Sequence, residues 1–368
     1  MARRVLFVDP VCPTPYQART VYDRALGGTE ASAVRVAEGM AQRGHRVTVA
    51  QCGRGWPSRS PGGVAYVPFR YGGGWSHLPR AEAVVVLRQH KVLARVRRQF
   101  PDARLALWLR AVPGSRRRGL ATALRDANAT AVCVSDAHRR ALHDALRRVA
   151  GDGPASAASV RVHDPVDDDL RPDGTRVDAD KLVALPGRAL GEVLAAFGHV
   201  RAHRPTARLV VAGRADRLPA LPEGVACLGA LPHHAVLRHV REAFAVFAPQ
   251  ASHEPVSGRE AAEANAVGTP VVAHPFGATG EALGETAGDH RQLVDARDPG
   301  AAARRLARWW DEGRPDVHGA RHLRTARVVR DWERLLGLDL PAHPAARRVP
   351  AALLETAATP LGGPAATA

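Results

Sequence analysis

Three glutamates stand close together in the stretch SHEPVSGREAAEANAVGTPVV. If a helix begins near Ser257 and Gly258, then Glu260 and Glu263 share one of its faces, and Glu254 lies in the loop before it. Carboxylates placed in this way can accept hydrogen bonds from the hydroxyls of a sugar or a ribose. The spacing alone is equally typical of a solvated helix face. The small residues and the Gly-Thr-Pro turn after Glu263 favour tight packing of the helix, and thereby the binding interpretation.

A pair of glycines, Gly27 and Gly28 in ALGGTEAS, stands where a strand and a loop lead into a helix. Glycines at such a position let backbone amides approach an anion, and the helix N-terminus adds free N–H groups and a positive dipole end. The pattern predicts phosphate binding, and the alternative is an ordinary turn into a helix capped by Thr29. It is neither a G-x-G-x-x-G fingerprint nor a P-loop, because no G-K-[ST] follows.

Arginines follow the apolar run LALWL, namely Arg110 and then Arg116, Arg117 and Arg118. They could bind an acidic acceptor or face an anionic membrane surface as a peripheral contact. The alternative is a solvated loop in an arginine-rich chain. The pattern leaves these interpretations open.

The net charge of +16 does not by itself indicate a nucleic-acid partner. Lysine is almost absent, so nearly all of the 52 basic residues are arginine, and alanine, glycine and proline are abundant. That composition is typical of a bacterium with a GC-rich genome. The basic residues look scattered along the chain, and aromatic residues make up only 5%, whereas nucleic-acid surfaces are usually basic stripes interleaved with aromatics. We therefore expect no nucleic-acid partner.

The elements that must position these residues alternate between strand and helix. Short apolar runs such as VLFVD, AVVVL and LALWL predict buried strands, and amphipathic stretches such as GTEASAVRVAEGMAQRG predict the helices. The alternation implies parallel sheets covered on both faces. It pauses at the polar HDPVDDDLRPDGTRVDAD and then restarts. Two α/β halves of similar size are expected, with the ligand in the cleft between them.

Cysteine usage and hydropathy indicate a compartment. The four cysteines are far apart, and Cys133 lies within an apolar run, so we expect reduced thiols and a cytoplasmic protein. No apolar run is long enough to span a membrane, and the N-terminal run is too short for a signal peptide. Residues 341–368 are rich in proline and alanine without periodicity and predict a disordered tail.

Several stretches, taken in order, resemble the family-4 glycosyltransferases. They are GGTEASAVRVAEGMAQRGHRVTVA, AVCVSDAHRRAL, VHDPVD, AAFGHVRAHRPTARLVVAG, CLGALPHHAVL and EPVSGREAAEANAVGTPVVAHPFGATGEAL. The resemblance implies an α/β chain with the GT-B fold, in which two Rossmann-like parallel-sheet domains face each other across a cleft. It implies an acceptor-binding domain at 1–168 and a nucleotide-sugar-binding domain at 169–340, whose last helix crosses back to the first domain.

The resemblance also implies roles for single residues. Gly27 and Gly28 would lie against the donor phosphates, Glu263 would hold the ribose hydroxyls, and Glu254 would sit beside the transferred sugar. The loop that contains Ser257 and Gly258 would offer backbone amides to the sugar and phosphate. The family needs no metal in its site, so the run of three aspartates after HDPV is expected to form a linker turn and not a metal site.

Three features depart from the family pattern. Eight residues separate Glu254 from Glu263, where the family has seven. The loop after the first strand of the second half is shortened and offers Arg188 as its one clear phosphate-binding base, where the family has an arginine and a lysine. Arg110 stands in the place of a histidine that contributes to catalysis, and His90 is either a partial substitute or an ordinary loop histidine.

The sequence therefore predicts a retaining hexosyltransferase. It would move a sugar from a nucleoside-diphosphate sugar to a small-molecule, glycan or lipid acceptor, with Glu254, Arg188 and Arg110 as candidate catalytic residues. The alternative is a catalytically weak GT-B module that binds a nucleotide sugar or assists a partner enzyme, because all three departures fall on the expected site.

Overall fold

The computed structural model describes residues 2–12, 14–70, 72–73, 75–111, 117–150, 159–185, 189–213, 221–252, 256–283 and 291–338. The described part of the chain forms two separate sheets, one from each half of the sequence. The predicted tail at 341–368 lies outside the described residues.

The first sheet has eight strands in the order β3-β4-β2-β1-β5-β6-β7-β8. The strands are β1 Arg4–Asp9, β2 Arg46–Gln51, β3 Ser58–Arg59, β4 Ala65–Pro68, β5 Ala83–Leu87, β6 Arg104–Trp108, β7 Ala129–Cys133 and β8 Ser159–Arg161. All neighbours pair in parallel except β3 and β4, which form a short antiparallel edge. The central strand β5 is buried along its whole length, as its continuous run of apolar residues predicts.

Helices cover both faces of this sheet. Leu6 and Phe7, neighbours on β1, enter different cores because successive side chains of a strand point to opposite faces. Helix α2 (Gly28–Gln42) packs on the face that Phe7 lines. In the chain it follows the short helix α1 (Thr20–Asp23). The helices on the other face are α3 Leu93–Gln99, α4 Arg117–Asp126 and α5 Asp136–Ala150.

The second sheet has five parallel strands in the order β11-β10-β9-β12-β13. They are β9 Asp178–Ala184, β10 Arg208–Val211, β11 Val225–Cys227, β12 Ala243–Ala248 and β13 Val271–Ala273. One face is covered by α6 (Leu190–His203) and α10 (Ala301–Glu312). The helices on the other face are α7 His233–Glu242, α8 Arg259–Ala266 and α9 Thr279–Leu283.

The last helix, α11 (Thr325–Leu336), follows the second half in sequence but packs against the first sheet. Trp332 is fully buried and meets Trp108 of β6 edge-on, with ring centroids 4.8 Å apart. Gly39 of α2 permits the close approach, because a Cβ atom there would lie 2.6 Å from Cγ2 of Val329. The helix therefore ties the two halves together.

The sequence overestimated the length of this last helix. The stretch HGARHLRTARVVRDWERLLGL was predicted to be helical throughout, but α11 begins only at Thr325. Before it, the chain pairs with the segment that links the halves: the amide of Val166 donates to the carbonyl of Leu323 at 2.8 Å, and the amide of Thr325 donates back to Val166 at 2.9 Å. This long-range pairing replaces the first turns of the expected helix.

The basic residues are not evenly distributed over the helices. Helices α3, α4 and α5 together carry ten arginines and three aspartates, whereas α2 and α11 on the opposite face carry four basic and four acidic residues. The prediction that the positive charge is scattered is therefore wrong for the first half, where one helical layer carries a large excess. In the described part of the chain, no helix is long and apolar enough to cross a membrane.

Candidate active site

The candidate site lies where the loops at the carboxyl ends of both sheets meet. In the first sheet, the strand order reverses between β1 and β5, and in the second between β9 and β12. Ligands of open α/β sheets bind at such reversals. Arg188 and Glu254 belong to the loops after β9 and β12, but both lie outside the described residues, so their predicted roles stay predictions.

Gly27 and Gly28 stand at the beginning of α2, as the sequence predicted. Gly27 has an extended backbone and precedes the helix, whose first residue is Gly28. A Cβ atom built on Gly28 would lie 2.7 Å from Nη2 of Arg110 and 3.9 Å from Nη2 of Arg259. Two guanidinium groups, one from each half of the chain, therefore converge on a helix N-terminus.

Arg259 is the first residue of α8 and is only 8% exposed. The preceding Gly258 has a left-handed backbone (φ 60°), which turns the chain into the helix. Among the described residues, Nε and Nη1 of Arg259 find no hydrogen-bond partner. Burial opposes the charge, but the carboxylates of Glu263 and Glu260 outweigh it and raise the pKa of Arg259. The side chain is thus a buried cation with unused donors.

Glu263 and Glu260 do not share an environment, in contrast to the expectation of a common face. The side chain of Glu260 is 50% exposed and that of Glu263 only 6%. Oε1 of Glu263 lies 3.6 Å from Nε of Arg259 and 3.5 Å from Nε2 of His233, and it has no hydrogen-bond partner in the described part of the chain. Burial lowers the pKa of His233, which is therefore neutral at pH 7. Glu263 keeps a free acceptor oxygen beside these two groups.

Arg110 follows β6 and forms an ion pair with Asp164 of the segment between the halves. Its Nη1 also approaches the hydroxyl of Ser32 at 3.3 Å, and that hydroxyl donates to Asp164 at 3.0 Å. A second ion pair is close by, because Nε and Nη2 of Arg35 bind the two oxygens of Asp167 at 2.6 and 2.7 Å. The structure thus places Arg110, a predicted catalytic residue, next to Gly28, a predicted phosphate-binding residue.

The sequence missed a charged cluster at the reversal of the first sheet. Both oxygens of the buried Asp9 accept hydrogen bonds from Nη2 of Arg88 at 3.0 Å, and Tyr16 donates to Asp9 at 3.0 Å. Burial raises the pKa of Asp9, and Arg88 and Tyr16 partly offset this effect. Nη1 of Arg88 also pairs with Glu30 at 2.9 Å, and Glu30 lies against Gly27. This cluster lies at the carboxyl ends of β1 and β5, next to the start of α2.

Two further predictions concern the aspartate run and the cysteines. Asp167 pairs with Arg35, and Asp168 accepts from the amide of Ala326 at 3.1 Å, at the start of α11. Among the described residues, no group of three or more histidines, cysteines and acids is placed to hold a metal ion. Cys133 is fully buried, as predicted, and burial raises the pKa of its thiol to about 12.

The remaining candidates are the loop with Ser257 and Gly258, and His90. The hydroxyl of Ser257 accepts from the amide of Arg259 at 3.4 Å, so the loop with Ser257 and Gly258 leads directly into Arg259. His90 begins a short 3-10 helix, His90–Val92, after β5 and is half-buried. The contacts described for His90 include neither Arg110 nor Gly28. Its role as a partial substitute for the family's histidine stays a prediction.

A family model matches part of the second half of the chain. Residues 183–312 match the family model described as glycosyl transferases group 1. The matched range runs from the last two residues of β9 through β13 to α10, and it includes the helices that carry Arg259, Glu263 and His233. A search of curated protein sequences finds no match.

Solved structures resemble the whole fold. AviGT4, a glycosyltransferase involved in avilamycin A biosynthesis, superimposes with a TM-score of 0.61 at 18% identity, covering 91% of this chain and 97% of that one. A UDP-forming α,α-trehalose-phosphate synthase from Burkholderia xenovorans in complex with glucose-6-phosphate gives 0.60 at 14% identity, covering 91% and 100%. An α-glucosyltransferase in complex with UDP and DNA gives 0.57 at 12%, covering 85% and 93%.

These comparisons confirm the predicted fold class. The chain has the α/β GT-B fold, with two parallel-sheet units and a cleft between them. The domain match and the fold together support glycosyl transfer as the class of reaction.

Proposed function

We propose that the protein is a retaining glycosyltransferase that moves a hexose from a nucleoside-diphosphate sugar to an acceptor. The observation that carries the proposal is the convergence of Arg110 and Arg259 on Gly28, at the N-terminus of α2. A helix N-terminus with two guanidinium groups in front of it is a strong site for a diphosphate.

The diphosphate would be held by groups from both halves of the chain. The free N–H groups at the start of α2 and the positive end of its dipole face the cleft, and Arg259 offers the N–H groups that have no partner among the described residues. Arg259 thereby supplies the second phosphate-binding base that the shortened loop of Arg188 lacks. Arg110 would leave Asp164 or bridge Asp164 and the phosphate when the donor binds.

The nucleoside would lie on the side of the second half. The free oxygen of Glu263 suits the ribose hydroxyls, and the neutral His233 beside it can bind them without repelling the nearby guanidinium of Arg259. The loop with Ser257 and Gly258, together with Glu254, would face the transferred sugar. This arrangement agrees with the roles that the sequence resemblance implies.

The chemistry follows from the charge that develops during the reaction. The bond between the anomeric carbon and the phosphate oxygen breaks, and negative charge grows on the departing nucleoside diphosphate. Arg110, Arg259 and the amides of α2 stabilise this charge, and one such donor is typically worth about 3 to 4 kcal/mol. The acceptor hydroxyl attacks from the same face, and its proton passes to the departing phosphate oxygen. No protein nucleophile is needed.

We further propose that this reaction proceeds without a metal ion. In many phosphate sites a divalent cation neutralises the phosphate charge. Here the guanidinium groups of Arg110 and Arg259 would neutralise the diphosphate instead. We expect turnover to persist when the enzyme is assayed in EDTA. A complete loss of turnover in EDTA that added Mg²⁺ restores would contradict this part of the proposal.

The acceptor would enter over the first half, above Asp9, Arg88 and Glu30. A small molecule, a glycan and a lipid-linked sugar all remain open as acceptors. The basic layer of α3, α4 and α5 suits a peripheral contact with an anionic membrane, which would favour a lipid acceptor. Binding to vesicles with anionic lipid, and none to neutral vesicles, supports this contact.

The free thiols of Cys12 and Cys133 suit a cytoplasmic protein.

The proposed function is tested with a panel of UDP-, GDP-, ADP- and dTDP-sugars. Thermal stabilisation by one donor, together with slow release of its nucleoside diphosphate, is the expected result. NMR of the transferred sugar should show the anomeric configuration of the donor. Stabilisation without release of the nucleoside diphosphate, even with acceptors added, would instead favour a catalytically weak module. The ion pair of Arg110 with Asp164 motivates this alternative, because it already occupies a guanidinium that the diphosphate would need. Absence of any stabilisation would contradict donor binding.

A further inference from the structure

The donor loop, residues 256–259, belongs to the second half but is fastened to the N-terminus of α5 in the first half. We propose that Ser135 and Glu281 are positioning residues, which hold this loop so that Arg259 reaches Gly28. The proposal rests on the proposed function, because it names the residues that align the diphosphate site across the two halves.

The first connection is made by Ser135, which precedes α5. Its hydroxyl oxygen accepts from the amide of His138 at 2.9 Å, in the manner of a helix cap. The same hydroxyl donates to the carbonyl of Val256 at 2.7 Å. The side chain of Val256 also packs against the hydrophobic core of the first half. The beginning of the donor loop is therefore held by a hydrogen bond and by apolar burial.

The second connection is made by Glu281, which lies on α9. Its two carboxylate oxygens accept from the amides of Asp136 at 2.8 Å and Ala137 at 2.9 Å. These are the first two amides of α5, and such amides have no partner within their own helix. A carboxylate at this end of a helix also interacts favourably with the helix dipole. Glu281 thus caps a helix of the opposite half.

The two connections are mechanically linked through Gly258. A Cβ atom on this residue would lie 2.6 Å from Cβ of Ala282 and 2.8 Å from the carbonyl oxygen of Ala278. The loop therefore rests directly on α9, one residue before Arg259. Because the loop, α9 and the start of α5 contact one another, displacement of Glu281 from α5 would also displace Arg259 from Gly28.

The first test is hydrogen exchange on the full-length protein without ligand. In the wild type, the amides of Asp136 and Ala137 should be protected, because Glu281 binds them. Glu281→Ala should expose these amides and also accelerate exchange in peptides that cover residues 256–261. Glu281→Gln, which keeps one acceptor oxygen, should lie between the two. Unchanged exchange in the donor loop of Glu281→Ala would overturn the proposal.

The second test separates positioning from general stability. The dissociation constants of each nucleoside and its diphosphate are measured for UDP, GDP, ADP and dTDP. In Ser135→Ala and Glu281→Ala, the diphosphate should bind about tenfold more weakly, while the nucleoside changes less than about twofold. Asp168→Asn is the matched control, because Asp168 caps α11 through the amide of Ala326. An equal loss in the control, or no loss in Ser135→Ala and Glu281→Ala, would contradict positioning.

The outcomes distinguish this inference from the proposed function. If no nucleotide binds even the wild type, the proposed function fails, while the exchange experiment still decides whether Glu281 holds the donor loop. If nucleotides bind normally in every variant, the proposed function survives and the positioning role is wrong.

Discussion

Arg259 is a buried cation whose hydrogen bonds are incomplete within the described chain. Leaving the donors of a charged group unpaired in a protein interior is unfavourable by a few kcal/mol. A catalytic role or a bound ion or water molecule is among the usual reasons why a native protein keeps such a group. The partly satisfied Glu263 beside it points in the same direction, because its free oxygen is an acceptor next to unused donors. The pair is better suited to binding a ligand than to stabilising the fold.

Replacing Arg259 by glutamine should weaken the binding of a nucleoside diphosphate by about tenfold or more, because charged hydrogen bonds contribute roughly 1.5 to 3 kcal/mol. The melting temperature should also fall, because removing the guanidinium leaves the buried carboxylate of Glu263 without the cation that lies 3.6 Å from it. Isothermal titration with the best-binding nucleotide measures the effect. Arg98→Gln is the control, since this arginine is exposed on α3 and carries the same charge. Equal losses in both variants would mean that only the net charge matters.

The chemistry at the residue level was only partly predictable. The types and neighbours of Gly27, Gly28 and Glu263 made them candidates, and the family resemblance made Arg110 one; their roles stay predictions. The sequence missed the side chain of Arg259, although the residue stands four positions before Glu263 on one helix. Its importance depends on the left-handed turn at Gly258 and on contact with the other half of the chain. Both are tertiary features that no local spacing contains.

Two buried histidines should make the stability of the protein depend on pH. Burial lowers the pKa of His163 to about 4, with Arg161 and His322 adding to the effect and Asp136 opposing it. Burial likewise lowers the pKa of His138 to about 4. Between these values and 6.5, the unfolded chain binds protons that the folded protein does not. Stability is therefore fully present above about pH 6.5 and declines towards pH 4, by roughly 1 to 3 kcal/mol per histidine.

Urea unfolding at a series of pH values measures this dependence. His163→Gln should flatten the decline between pH 6.5 and 4, because glutamine does not titrate. His318→Gln should leave the profile unchanged, because the side chain of His318 is 79% exposed. An identical decline in His163→Gln and the wild type would show that other groups cause it.

At the scale of elements, α11 is the part that joins the end of the chain to its beginning. Trp332 lies in the core between α2 and β6, and Glu333 accepts from Nε2 of His45 at 2.9 Å and Nε of Arg43 at 2.6 Å. The glutamate is 1% exposed, so its two partners compensate its burial. The helix therefore contributes to the first half as one of its own layers.

Trp332→Ala should lower the free energy of unfolding by about 3 to 5 kcal/mol, because it leaves a large cavity in a packed core. Denaturant unfolding measures the change. Trp56→Ala is the matched control: this tryptophan is 75% exposed, and its removal should change stability by less than about 0.5 kcal/mol. A small effect of Trp332→Ala would mean that α11 does not stabilise the first half.

Most elements were predictable because apolar runs and helical periodicity are local signals. The strands β1, β5 and β6 were predicted within two residues of their observed ends. The short edge strands β3 and β4 were missed, since neither has a sustained apolar run. The start of α11 was misplaced because pairing between Val166 and Leu323, which are far apart in sequence, replaces local helix formation there.

At the scale of the whole molecule, the cleft brings the helix that we propose binds the phosphates, from one half, next to the carboxylate that we propose binds the ribose, from the other. Neither half alone contains both Gly28 and Glu263. Ion pairs of Arg110 with Asp164 and of Arg35 with Asp167 tie the walls of the cleft to the connecting segment. Donor binding should therefore depend on how the two halves meet, and less on either sheet alone.

The most direct test of donor binding at Gly28 is a calorimetric titration of UDP, GDP, ADP and dTDP into the wild type, Gly28→Ala and Gly198→Ala. The methyl group added at Gly28 would lie 2.7 Å from Nη2 of Arg110, whereas nothing lies within 4 Å of one added at Gly198 on α6. Both changes place alanine in a helix and should not destabilise it. We predict that the best nucleotide binds Gly28→Ala at least about tenfold more weakly than the wild type, and Gly198→Ala equally well. Equal affinity in all three proteins would contradict a diphosphate site at the N-terminus of α2.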